Sequence, residues 1–143
     1  MSENKNQEGG CLCGAVRFRL DQGGVLGSSH CHCRDCQRAT GSAFATFCIV
    51  PGPAFELEKG DPGSFSVQGD SGGSVTRFFC RDCGSQLYST VSMMPGAYFV
   101  KSGSLEDASW MEPASAFWSS TAQPWAPPLT EVVHARNPDA ASS

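Results

Sequence analysis

Phe79-Cys-Arg-Asp-Cys-Gly-Ser85 reads as a tight turn between two strand candidates, residues 74–79 and 86–89. A C-x-x-C turn closed by glycine brings two sulfurs within reach of one ion, with zinc–sulfur bonds near ~2.3 Å. Far upstream, Cys11-Leu-Cys13 offers a second pair. In an extended segment residues i and i+2 point the same way, so both sulfurs can bind one metal. Joined, the two pairs supply four thiolates and a closed tetrahedral site. Such a site ties residue 11 to residue 83 and contributes folding energy directly. Short strands pinned at metal-binding turns imply a mainly β fold.

The surrounding sequence agrees. Ala15-Val-Arg-Phe-Arg-Leu20 alternates, with Val16, Phe18 and Leu20 directed inward and Arg17 and Arg19 outward. Further strand candidates are residues 43–50, 55–59, 65–67 and 98–102. Turn clusters separate them: Pro51-Gly-Pro53, Gly60-Asp-Pro-Gly63 and Gly69-Asp-Ser-Gly-Gly73. Sixteen glycines and nine prolines in 143 residues favour this arrangement over a helical bundle. Only single helical turns are expected, after Cys36 and around residues 105–109. The expected organisation is one zinc domain over residues 9–136, between polar tails at 1–8 and 137–143.

Between the two cysteine pairs lies Cys31-His-Cys33-Arg-Asp-Cys36. It offers three thiolates and no obvious fourth, and three protein ligands with one exchangeable position distinguish catalytic from structural zinc. His30 and His32 flank Cys31, but along an extended segment they point away from Cys31 and Cys33, toward the core or behind the ligands. Cys48, in Ala45-Thr-Phe-Cys-Ile-Val50, reads as a buried strand cysteine. His134 reads as a surface histidine. From spacing alone, the middle cluster can instead borrow one cysteine from the outer four. Disulfides fit poorly, because C-x-C pairs do not close easily into the required geometry.

Formal net charge is −4 with every cysteine counted neutral. Thiolate-bound zinc makes the total more negative, which disfavours a nucleic-acid backbone as partner. The N-terminus, Met1-Ser-Glu-Asn-Lys-Asn-Gln-Glu-Gly-Gly10, has no apolar h-region, and no run approaches the ~18 apolar residues of a membrane span. The expectation is a cytoplasmic protein with no membrane partner, in a compartment that keeps thiols reduced. A small neutral or thiol-bearing substrate suits this composition.

Three segments together carry a resemblance: Gly9-Gly-Cys-Leu-Cys-Gly-Ala-Val-Arg17, His30-Cys-His-Cys-Arg-Asp-Cys-Gln-Arg-Ala-Thr-Gly-Ser-Ala-Phe44, and Phe79-Cys-Arg-Asp-Cys-Gly-Ser85. With Lys101-Ser-Gly-Ser-Leu-Glu-Asp107 they resemble the glutathione-dependent formaldehyde-activating enzyme family, whose domain is shared with centromere protein V. The resemblance runs from about residue 9 to residue 126. It implies an Mss4-like (β-tent) fold of short antiparallel strands with two Zn2+ sites. By that likeness Cys11, Cys13, Cys80 and Cys83 match the structural ligands, and Cys31, Cys33 and Cys36 the catalytic-type site. The implied activity is that of a carbon–sulfur lyase joining glutathione and formaldehyde as S-hydroxymethylglutathione.

Three thiolates make zinc a weak Lewis acid, so delivery of the substrate sulfur as thiolate is the favoured chemistry. Arg34, Arg38, Arg77 and Arg81 are candidates to hold an anionic thiol such as glutathione, or merely to offset thiolate charge. Arg38, Thr40 and Ser42 are the expected substrate contacts, and His32 a candidate for proton transfer. Two other functions compete. A thiol-redox enzyme of methionine sulfoxide reductase type needs a reactive Cys48, and a non-catalytic binding module needs the trio empty or closed by the protein. Trp110, Phe117, Trp118 and Trp125 are expected mainly in core packing.

Overall fold

The alternation at residues 15–20 becomes strand β2 (Arg17–Asp21), with Phe18 and Leu20 buried and the arginines partly exposed. It is seen in a computed structural model that describes residues 5–68 and 73–137. β2 pairs antiparallel with β1 (Asn6–Gly10) and β5 (Phe55–Lys59), forming a three-stranded sheet. The second sheet has eight strands: β3 (Gly27–Cys31), β4 (Ala45–Pro51), β6 (Gly63–Gln68), β7 (Ser74–Phe79), β8 (Gln86–Val91), β9 (Ala97–Lys101), β10 (Ser115–Phe117) and β11 (Val132–Val133). Their order is β11-β10-β3-β4-β9-β8-β7-β6. The expectation of antiparallel strands holds except at one edge, where β10 lies parallel to both β3 and β11.

The central strand β4 is apolar on both faces because it serves two clusters. Cys48 and Val50 join Phe18, Leu20, Tyr88 and Val100 in the core against the small sheet. There the rings of Phe55 and Tyr98 stack at 4.4 Å, and those of Phe78 and Tyr88 at 4.8 Å. On the opposite face Ala45 and Phe47 pack with Cys31 and Cys36, flanked by Phe99, Phe117 and Trp118. The strand thus separates a hydrophobic core from the cysteine trio.

The structure departs from the sequence reading in several places, among them β3, β10 and β11, which no strand candidate covered. Residues 6–8, expected as tail, belong to β1. Its glycines permit the approach, since a Cβ on Gly9 would lie 2.5 Å from the Ser104 carbonyl oxygen and 2.6 Å from the Phe18 ring. The helical turn expected after Cys36 is a two-turn helix, α1 (Arg34–Thr40), that contains Cys36. Cys33 caps it by accepting from the Cys36 N–H at 3.2 Å, Asp35 sits in its first turn, and left-handed Gly41 (φ 66°) ends it. The turn expected at 105–109 lies earlier, at Ser102–Ser104, where it precedes a bridge between Leu105 and Gly9. Most of the turn at 69–73 falls outside the described residues. Among those described, no helix is long and apolar enough to cross a membrane.

Candidate metal centres

Cys11 and Cys13 follow β1, while Cys80 and Cys83 occupy the turn between β7 and β8, and the fold brings the two pairs together. All four sulfurs lie within 4.8 Å of one another. Cys11 Sγ is 3.6 Å from Cys13 Sγ, which is 3.7 Å from Cys80 Sγ. A tetrahedron with metal–sulfur bonds of ~2.3 Å has edges of about 3.8 Å, so the spacing fits zinc. Backbone amides already face the sulfurs: Val16 N–H donates to Cys11 Sγ at 3.2 Å and Asp82 N–H to Cys80 Sγ at 3.4 Å. The Ser85 hydroxyl and the backbone N–H groups of Ser85 and Cys13 pull the Cys83 thiol down to about 5. Left-handed Gly84 (φ 78°) completes the turn. Four converging sulfurs with backbone amides facing them suit a divalent ion bound for stability, which would hold them as thiolates.

Cys31 ends β3, Cys33 caps α1 and Cys36 lies in its first turn, and their three sulfurs also converge within 4.8 Å. No histidine or carboxylate joins that cluster among the described residues. The borrowed-cysteine partition therefore finds no support: the cysteines form one four and one three. Cys31 and Cys33, donating hydrogen bonds, pull the Cys36 thiol down to about 2, with the Lys101 and Arg77 charges adding to the effect and burial opposing it. The trio suits a soft divalent metal with one position left over.

Around the trio the candidates divide. His30 accepts from or donates to Thr46 Oγ1 at 2.7 Å, on the face of β4 away from the sulfurs. His32 is fully buried, its ring 4.9 Å from Phe44 and held neutral by burial. Neither of its ring nitrogens has a hydrogen-bond partner among the described residues. Arg77 is the arginine that reaches a sulfur, with Nη2 3.8 Å from Cys36 Sγ. Arg34 instead donates to Gln37 Oε1, and Arg81 to the Asp61 carbonyl at 3.1 Å. Cys48 is fully buried in the core, where burial pushes its thiol up to about 11. A buried thiol of this kind is poorly suited to the reactive role that the thiol-redox reading assigns to Cys48.

Two cavities flank α1. The first, about 450 Å³, is lined by Arg34, Gln37, Arg38, Ser42, Gln123 and Trp125. Trp125 is 74 % exposed there, so its expected packing role is not realised, whereas Phe117 and Trp118 pack on the trio and Trp110 on the main core. The second, about 540 Å³, lies between Thr40, Ser42, Thr46, Ser85 and Lys101. Thr40 and Ser42 do line it, but the Thr40 hydroxyl also donates to the Cys36 carbonyl at 2.8 Å and accepts from Ser42 N–H at 3.2 Å.

Two residues escaped the sequence reading. Buried Gln37 donates to the carbonyls of His32 (2.7 Å) and Thr121 (3.0 Å) and accepts from Gln123 (2.8 Å), fastening α1 to the C-terminal segment. Lys101 projects toward the trio from β9. A glutamine one residue after a cysteine motif was the available signal for the first. Lys101 carried none, because its place depends on strand pairing.

Fold and sites together define a mainly β protein with two cysteine clusters able to hold metal ions, one of four sulfurs and one of three. The chain belongs to the glutathione-dependent formaldehyde-activating enzyme family, whose model matches residues 6–121. It is 27% identical over 115 residues to a putative glutathione-dependent formaldehyde-activating enzyme of Penicillium rubens, a match covering 78% of this chain and 59% of that protein. A protein of the same description from Podospora anserina is also 27% identical over 115 residues, with 78% and 53% covered. An uncharacterized lyase of Schizosaccharomyces pombe is 28% identical over 95 residues, with 65% and 64% covered. The chain thus spans between about half and two thirds of these relatives' lengths. Its fold matches the crystal structure of a Rhodobacter sphaeroides protein (TM-score 0.57, 21% identity, 89% and 98% covered).

Proposed function

We propose that the protein is a zinc-dependent carbon–sulfur lyase-type enzyme that makes or cleaves a thiol adduct, with glutathione and formaldehyde as the leading substrate pair. The observation that carries this reading is the convergence of Cys31, Cys33 and Cys36 without a fourth ligand among the described residues, beside a cavity and two cations. The names of the fungal relatives support the same chemistry. Zinc in that position supplies a fourth coordination site at which a thiol is bound as thiolate near neutral pH.

The chain's own groups do the rest. Cys31, Cys33 and Cys36 would hold the ion by three thiolates, which would make it a weak Lewis acid better suited to sulfur delivery than to carbonyl activation. Arg77, bonded to Cys36 Sγ, offsets part of that negative charge. Arg38 in the first cavity and Thr40 and Ser42 in the second are the proposed contacts for the body of the substrate. The four-thiolate site serves the fold. Ligation by reduced cysteines suits a reducing, cytoplasmic compartment.

Formaldehyde adds to thiols without a catalyst, so the test is the rate above that background. Adduct formation with glutathione is expected to run faster with the zinc-loaded protein and to fall to the buffer rate with Cys36→Ser. A wild-type rate equal to buffer for both formation and cleavage would leave a binding module as the better reading.

A further inference from the structure

Lys101 and Arg77 stand on the trio's face of the large sheet, brought there from strands remote in sequence. Cys31 pairs with Ala45, and Phe47, two residues on, pairs with Lys101. Cross-strand partners share a face, as do residues i and i+2, so Cys31, Ala45, Phe47 and Lys101 project to the same side. Lys101 Nζ lies 5.3 Å from the centroid of the Phe47 ring and donates to Ser89 Oγ at 3.2 Å. Ser89 pairs with Arg77, whose Nη2 reaches Cys36 Sγ at 3.8 Å. A line of side chains therefore crosses β7, β8, β9, β4 and β3 from one cation to the sulfurs. Neither cation forms an ion pair with a carboxylate among the described residues. Their negative counterpart on this face is the cysteine trio.

We propose that Lys101 and Arg77 set the charge of the three-cysteine site so that, once it holds a divalent metal, its open position selects an anionic ligand, a thiolate, over neutral ones. This rests on the reading of the trio as an open metal site. A divalent ion with three thiolates carries one net negative charge, which by itself repels a fourth thiolate. Two adjacent cations reverse that sign, and an incoming thiolate then brings the whole group to neutrality. In a site partly withdrawn from water that balance decides which ligand binds. A thiol binding there would do so as thiolate, its proton passing to solvent.

Lys101 also lines the second cavity, together with Thr40 of α1 and Ala45, which packs on the trio. Burial lowers the pKa of the Lys101 ammonium, and the negative charge of Cys36, Cys31 and Cys33 works against that lowering. Arg77 reaches the ligand Cys36 directly and supports the same field. Lys101 is the residue to vary, because it holds no sulfur.

The test uses the full-length protein with zinc in the four-thiolate site and cobalt in the trio, titrated with 2-mercaptoethanol, azide and imidazole while the visible cobalt spectrum is followed. Lys101→Met keeps an apolar chain over Phe47. It is expected to weaken 2-mercaptoethanol and azide roughly tenfold or more while imidazole changes less than about twofold. Lys101→Arg is expected to retain the wild-type preference. Equal loss of all three ligands, or no change in any, with zinc retained in the four-thiolate site, overturns the inference and leaves the open site standing. A wild-type cobalt spectrum that none of the ligands alters overturns the open-site reading and the inference with it.

Discussion

At the scale of single residues, the cysteine motifs told most of the story and the polar residues around them told little. Spacing pairs Cys11 with Cys13 and Cys80 with Cys83 because C-x-C and C-x-x-C are local geometries, but it left open whether one of the four went to the middle cluster, which only the fold decides. Lys101 could not be placed from spacing, since its position beside the trio depends on pairing between β4 and β9. Gln37 is the residue whose loss should be felt most outside the ligands. Gln37→Leu removes four hydrogen bonds and takes the side-chain donor from the Thr121 carbonyl, while the His32 carbonyl keeps the Thr121 hydroxyl, and a loss of about 2–3 kcal/mol in chemical denaturation is expected. Cys48 offers a check on pH. Its thiol rises from the ordinary 9.0 to about 11 on folding, through burial. A raised folded value means stability that is fully present below about 9 and declines as pH climbs toward about 11. The alkaline loss of stability should be shallower in Cys48→Ala, which should retain both zinc ions and wild-type activity.

At the scale of elements, apolar patterning located the strands that carry it and missed those that do not. β5 and β7 fall where the sequence reading put them, and β4 within a residue or two. β1 was read as tail because Asn6–Gly10 has no alternation to reveal a strand, only glycines that allow close packing. Gly9→Ala should therefore push β1 from the Ser104 carbonyl and the Phe18 ring, at a cost of about 1–3 kcal/mol. A thermal melt alongside zinc retention by the neighbouring Cys11 site would measure it. Helix α1 extends past the expected single turn because Cys33 both caps it and offers a sulfur to the trio. Gly41→Ala, at φ 66°, should cost about 1 kcal/mol at the helix end and loosen the wall shared with Ser42. The same denaturation assay reads that outcome.

At the scale of the whole molecule, the four-thiolate site pins the small sheet's leading hairpin to the β7–β8 turn, while the trio hangs from one face of the large sheet. The two metals should accordingly differ in what they support. Cys83→Ser is expected to cost the fold its cooperativity, because binding energy at that site is folding energy. Cys36→Ser is expected to spare the fold and lose the second metal. The most direct test of this division is zinc content per chain, measured during titration with a chelator while far-ultraviolet circular dichroism reports the fold. Two zinc ions per folded chain are expected, the first leaving under mild chelation with the spectrum unchanged and the second only as the protein unfolds. A single zinc, or both lost together with the fold, would contradict a closed structural site paired with an open one.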